Sequence, residues 1–421
     1  MKRLAAVSFV VAALMFAAFP QAATRTLPPA GVTALDTFLG GQVSRGAVPG
    51  VVAVVVSRQG TLYSGAFGKQ DAGKNVPLAA DSIFRIASMT KAVTSVAAMM
   101  MIEQGKMKLD DDVSQYLPAF KSMRVLTSYD AKAETYETRP NTKPITVRQL
   151  LTHTSGIGYS WSDPGLALVQ RKTNDGSETA LPLVHEPGEK WTYGASTKVL
   201  GDLVEKFSGE RIDVFTDKHI TAPLGMADTF YEVPTAKYGR VVTTNNKDAA
   251  GKITETANPA KLPVSLRGDG GLFSTAPDYG KFLQMLLNGG QLGNARILKS
   301  STVDDMLKPH TKGVRVRPQP VANTGLSKPY PLGAGEDIWG LGFQLADPKQ
   351  PNPSMRRKGS GNWAGIFNTF FWIDPKEELG VVVMMQMLPF YDDAAIETLQ
   401  GVERRVYENL QVVIPVRGVG R

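Results

Sequence analysis

The sequence predicts an α+β sandwich, a sheet flanked by helices that carries a mostly helical block as an insertion. Two observations lead there. β-Branched runs that read as strands sit near both ends of the chain, each accompanied by an amphipathic helix, and the text between them reads as helices with polar, proline-containing connections. Strands at the two ends then share one sheet, and catalytic groups belong where the two bodies meet.

The first element is a short amphipathic helix. After Thr33, which can cap, the spacing of Leu35, Phe38, Leu39 and Val43 predicts a helix ending near Gly46. Val51 to Val56 is a continuous apolar run, Arg58-Gln59-Gly60 supplies a turn, and Thr61 to Gly68 returns. Such runs fit a buried sheet interior. A helix is expected from about Ser88 to Gln104, stopped by Gly105. From about 106 to 260 helical text predominates. There Ser196 can cap a helix whose stripe is Val199, Leu200, Leu203, Val204 and Phe207, closed by Gly209. Thr275 and Asp278 open another helix, which runs to Gly289. Ile366 to Ile373 and Leu379 to Met387 read as two strands around Asp374-Pro375-Lys376, before a terminal helix from about Asp392 to Leu410. The expected organisation is 24–105 with 261–421 as a discontinuous sheet domain and 106–260 as the helical domain.

The 421 residues, 43% hydrophobic and 20% charged, supply a full core. With no cysteine, disulfides, thiolate zinc sites and thiol nucleophiles are excluded. His153, His185, His219 and His310 lack ligand spacing, so no metal is expected, and nothing calls for a cofactor. The net charge of +8 is spread along the chain, with Arg356, Arg357 and Lys358 its one dense cluster, and nucleic acid is not an expected partner. Lys2 and Arg3 precede an apolar run from Leu4 to Phe19 that ends in Ala22 and Ala23. This is the pattern of a cleaved secretory signal over 1–23, and the run falls short of the roughly 20 residues that cross a bilayer. A periplasmic or secreted protein without a stable membrane anchor is the expectation; the oligomeric state is left open.

Ser88-Met89-Thr90-Lys91 places a hydroxyl and an amine three residues apart, on one face of a helix. A serine attacks carbonyls poorly until a base takes its proton, and a lysine does so only when burial or nearby positive charge lowers its pKa. Ile86, Ala87, Ala92, Val93 and Val96 supply the apolar setting. The backbone N–H groups of a helix start can also meet a developing oxyanion. A chance pairing of surface residues satisfies the same spacing, but here the pair follows a strand-like stretch, Phe84-Arg85, and opens an apolar helix.

These residues, with Leu150-Leu151-Thr152-His153-Thr154-Ser155-Gly156, Glu186-Pro187-Gly188, Pro223-Leu224-Gly225-Met226 and Gly270-Gly271-Leu272-Phe273-Ser274-Thr275, resemble the serine β-lactamase and penicillin-binding-protein-like hydrolases, class C β-lactamase-like esterases among them. The resemblance runs from Gly50 to Met387. It implies a β-lactamase/transpeptidase-like fold with an antiparallel sheet. By resemblance Tyr193 answers the tyrosine of the family's Tyr-x-Asn and shuttles the proton between Ser88 and the leaving group, with Lys91 polarising it. Ala195 stands where relatives carry the amide-orienting Asn. Core packing is the alternative for Tyr193.

The third element, Lys-Thr-Gly or His-x-Gly in relatives, corresponds most nearly to Gly359-Ser360-Gly361, with Lys358 one residue out of register as the other choice. Under this alignment Ser360, Gly361 and Trp363 bind substrate, and the N–H groups of Ser88 and Asn362 form the oxyanion hole. Trp363 as plain core is the alternative. A missing base at the first position favours a neutral ester over a carboxylate-bearing substrate. Gly359-x-Gly361-x-x-Ala364 fits a loose dinucleotide fingerprint but precedes a strand, and Gly-x-Ser-x-Gly does not occur. The expected function is ester cleavage through a Ser88 acyl-enzyme. The competing readings are a β-lactamase or D-alanyl-D-alanine carboxypeptidase and a non-catalytic envelope binding protein.

Overall fold

The computed structural model describes residues 24–174 and 176–413, so the expected signal at 1–23 lies outside the described residues. One sheet of eight strands organises the chain. In sequence order these are β1 (Gly50–Ser57), β2 (Thr61–Asp71), β3 (Val76–Pro77), β4 (Ile338–Trp339), β5 (Gln344–Leu345), β6 (Gly361–Gly365), β7 (Thr369–Asp374) and β8 (Leu379–Met384). In space they run β4-β5-β6-β7-β8-β1-β2-β3, and every neighbouring pair is antiparallel. The two ends of the chain meet at β8 and β1, where Val381 lies opposite Val55 and Val383 opposite Ala53.

Every residue of β1 and β8 is buried, which is why neither shows the polar alternation of a half-exposed strand. Helix α1 (Pro29–Ser44) and helix α5 (Asp393–Asn409) pack together on one face, where Tyr63 of β2 donates to Asp36 of α1 at 2.7 Å. The other face takes α4 (Ala276–Leu287), whose Gly280 leaves room for Val54 and Val56 of β1. Each Val, Leu or Ile side chain fully buried by this double covering contributes about 1.5–3 kcal/mol.

Several boundaries move for local reasons. Helix α1 starts at Pro29, in the position proline favours, so Thr33 lies inside it and is no cap. Helix α3 (Ser196–Ser208) has Ala195 at its cap, while the Ser196 hydroxyl bonds that of Ser155 at 2.8 Å. Thr275 does cap α4, accepting from the Asp278 N–H at 3.2 Å. The block 106–260 holds helices and also two hairpins, Arg124–Asp130 with Thr135–Pro140 and Thr244–Lys247 with Ile253–Thr256. Their strands are largely polar and open to solvent, so no apolar run announces them. The strand expected over 366–373 begins later, as β7 at Thr369: residues 366–368 are a turn, and a separate strand, β6, ends just before it at Gly365.

Candidate active site

Phe84-Arg85 pairs with Phe273-Ser274, and the chain then makes one 3₁₀ turn, Ala87–Met89, before entering α2 (Thr90–Glu103). Ala87 is held at φ 44°, a conformation costly for a residue with a side chain, immediately before Ser88. Ser88 is partly exposed at the mouth of the turn, and Lys91 sits in the first turn of α2, 2% exposed. Lys91 Nζ lies 3.1 Å from Ser88 Oγ. Burial lowers the Lys91 pKa to about 7; Asp269 acts against that and Arg267 reinforces it.

Tyr193 arrives from the segment before α3. Gly194 makes this possible, since a Cβ there would stand 2.0 Å from the Ile157 carbonyl oxygen. The Tyr193 backbone N–H donates to Gln319 Oε1 at 2.9 Å, and its ring lies 4.8 Å from Lys91 Nζ. Its hydroxyl accepts from Trp363 Nε1 at 3.2 Å and interacts with the Ser88 side chain. Burial holds the Tyr193 pKa well above its usual value, so the resting phenol keeps its proton. Ala195 is wholly buried and presents no polar group.

A second layer went unread in the sequence. Lys91 Nζ donates to the Asp269 carbonyl oxygen at 2.6 Å and to Tyr159 Oη at 3.1 Å. The Tyr159 hydroxyl donates to Asp269 Oδ2 at 2.5 Å, and Arg267 grips the same carboxylate with Nε and Nη2, both at 2.9 Å. Burial pushes the Asp269 pKa up, but Arg267, Lys91 and Tyr159 outweigh it and the carboxyl stays below its ordinary value. An Arg and an Asp two apart, within the glycine-rich Arg267-Gly268-Asp269-Gly270-Gly271, are the one signal that could have drawn attention to this pair. Tyr159 carried none.

The third element needs correction. Gly359, Ser360 and Gly361 lie at the far end of β6 from Ser88. Ser360 faces Ala346 through the main chain, Gly361 abuts Leu307, and Lys358 reaches away to Asp347 at 2.6 Å. Asn362 lies opposite Gln344 of β5 and donates its side-chain amide to the Gln344 carbonyl, so its main chain faces β5 and not the serine. At about 3.3 Å per residue, Gly361 and Gly365 are some four steps apart along the strand. The residues that reach the Ser88 turn are Trp363, Ala364 and Gly365. A Cβ on Gly365 would fall 2.2 Å from the Ile86 carbonyl oxygen. The Gly365 carbonyl accepts from Asn368 across the β6–β7 turn, so the main chain of Ala364, one residue out of phase, faces the opposite side, where β5 has already ended. The turn at 366–368 hid this register, because the apolar text runs through it unbroken.

Aromatic rings wall the site. Trp161 stacks on Tyr159 at 5.5 Å and on Tyr330 at 6.0 Å, while Trp363 and Tyr193 are 4.7 Å apart. A cavity of about 210 Å³ opens beside Tyr159 and Tyr193. Among the described residues, no cluster of His, Asp and Glu could hold a metal ion and no helix is long and apolar enough to cross a membrane.

A partly exposed serine, a buried amine with a neutral-range pKa and a protonated phenol on a sheet flanked by helices define the class of serine hydrolases and acyltransferases with a β-lactamase/transpeptidase-like fold. The chain belongs to the Beta-lactamase family, whose model matches residues 35–403. It is 29% identical over 411 residues to Monacolin J acid methylbutanoyltransferase of Aspergillus terreus, covering 90% of this chain and 96% of the relative. It is also 29% identical over 403 residues to Lovastatin esterase of Penicillium rubens, covering 89% and 98%. Among solved structures it is similar to unliganded simvastatin synthase from Aspergillus terreus, with a TM-score of 0.76, 26% identity and coverage of 90% of this chain and 98% of that one.

Proposed function

We propose that this chain cleaves carboxylic esters through an acyl-enzyme on Ser88, with water or an alcohol as the final acyl acceptor. The observation that carries the reading is a buried lysine whose pKa is lowered to about 7, standing 3.1 Å from a partly exposed serine hydroxyl. At neutral pH a substantial fraction of Lys91 is the free amine and takes the Ser88 proton as Oγ attacks the ester carbonyl. The oxyanion is met by the main-chain N–H groups of Ser88 and Ile366, the residue next in phase with Ala364. Tyr193 gives its proton to the departing alkoxide and is reprotonated from Lys91. In the second half-reaction the acceptor's proton returns by the same route, and Ser88 leaves as the hydroxyl.

Two features support an ester over a β-lactam or a peptide. Trp363 occupies the first position of the third element, where relatives carry a base, and Ala195 replaces the amide-orienting Asn. The likeness to a methylbutanoyltransferase and to a lovastatin esterase supports an ester-level acyl group and, with it, transfer to alcohols. Purified protein assayed on short-chain p-nitrophenyl esters and on a chromogenic cephalosporin tests the reading. Ester turnover at least 100-fold above cephalosporin turnover is expected; the reverse order makes the protein a β-lactamase. Failure of a fluorophosphonate to label Ser88 returns it to the binding-protein alternative.

A further inference from the structure

We propose that Arg267, Asp269 and Tyr159 are positioning residues that hold Lys91 against Ser88 and set the pH at which it works as a base, an inference that rests on the function proposed above. The geometry is that of a tether with its charge balanced internally. Lys91 Nζ is anchored to the Asp269 carbonyl and to the Tyr159 hydroxyl, while the Asp269 carboxylate is occupied by Tyr159 on one side and by both arms of Arg267 on the other. A bidentate guanidinium fixes a carboxylate in direction as well as in charge. Asp269 is 3% exposed, whereas the Arg267 side chain is 39% exposed, so the cation is fed in from the rim and the anion is sealed beside the amine.

The other groups around Lys91 do not offer an alternative source of control. Ser88 and Tyr193 are neutral at rest, and His153, whose ring lies tilted against that of Tyr193 at 5.0 Å, is held neutral by burial and by Lys91 itself. Asp269 and Arg267 are thus the charges that act on Lys91 in opposite directions. An unpaired carboxylate would favour the ammonium and weaken the base, and Arg267 offsets part of that effect.

The test is a ¹³C NMR titration of lysine-labelled protein, with Lys91→Met as the assignment blank, beside the pH dependence of fluorophosphonate labelling of Ser88. Arg267→Gln, at a half-open position, should raise both midpoints by about one pH unit, the lower end of what a nearby opposite charge does, and slow labelling at pH 6 about tenfold. Arg267→Lys should restore them to within a few tenths. Asp269→Asn should lower both midpoints, and Tyr159→Phe should cut the plateau labelling rate severalfold. Unmoved midpoints in folded Arg267→Gln and Asp269→Asn overturn the tether. An NMR midpoint that moves as stated while Ser88 stays unlabelled at every pH overturns the proposed hydrolase and leaves the tether standing.

Discussion

The indole Nε1 of Trp363 donates a hydrogen bond to the hydroxyl oxygen of Tyr193 at 3.2 Å. An indole only donates, so the phenol's own hydrogen is left free to point at Ser88. In the proposed mechanism this poises Tyr193 as a proton donor, with Lys91 Nζ 4.8 Å from its ring to resupply the proton. Trp363→Phe keeps the ring and removes the donor. It should lower kcat on p-nitrophenyl butyrate about fivefold to tenfold with KM little changed, the scale of one net hydrogen bond of roughly 1 kcal/mol. Unchanged kcat would make Trp363 a packing residue alone.

Ser88→Ala should abolish ester turnover and leave the melting temperature within about 2 °C, because the hydroxyl is partly exposed and the turn is held by its neighbours. Tyr193→Phe should cost about 10² to 10⁴ in kcat, the range for lost general acid–base assistance. Steady-state kinetics and differential scanning fluorimetry measure both. Normal turnover by Ser88→Ala would require another nucleophile.

Lys91 also links pH to rate and to stability. In the proposed mechanism the free amine is the active form, so kcat/KM should rise with pH through a midpoint near 7. For stability, the folded-state pKa of about 7 lies below the ordinary 10.5. Between those values the unfolded chain binds a proton that the folded protein does not, so stability falls as pH drops from about 10.5 to 7 and is flat in this respect below. Lys91→Met should be inactive and more stable than wild type at pH 7, with the gap closing toward pH 10. Thermal melts of the two proteins over that range check it, and a gap independent of pH would contradict it.

Gly365 brings β6 against the turn that bears Ser88. Gly365→Ala would set a methyl group 2.2 Å from the Ile86 carbonyl oxygen and 2.4 Å from Thr369 Oγ1, both in buried surroundings. The strand must then retreat, at a cost of about 1–3 kcal/mol, typical of overpacking. Because the displaced strand carries Trp363 and leads directly into Ile366, activity should fall by at least 100-fold, more than the loss of stability explains. Urea unfolding together with ester kinetics separates the two effects.

By itself, the sequence determined the elements whose signal is local. Apolar continuity marked β1 as an interior strand, apolar spacing at helical period marked α1 and α3, a Thr-x-x-Asp start marked α4, and three-residue spacing put Ser88 and Lys91 on one face. The polar, exposed hairpin at 124–140 escaped notice because the cross-strand partners that hold it contribute no apolar pattern. Only the tertiary structure decided which end of β6 meets the serine. That depends on where β5 stops and where the chain turns at 366–368, a matter of strand pairing and steric fit at Gly365. Only the tertiary structure, too, brought Tyr159 and the Arg267–Asp269 pair to Lys91 from 68 and 178 positions along the chain. Charge in a low-dielectric interior acts through space and is indifferent to separation along the chain, so the setting of the base's pKa belongs to the folded molecule alone.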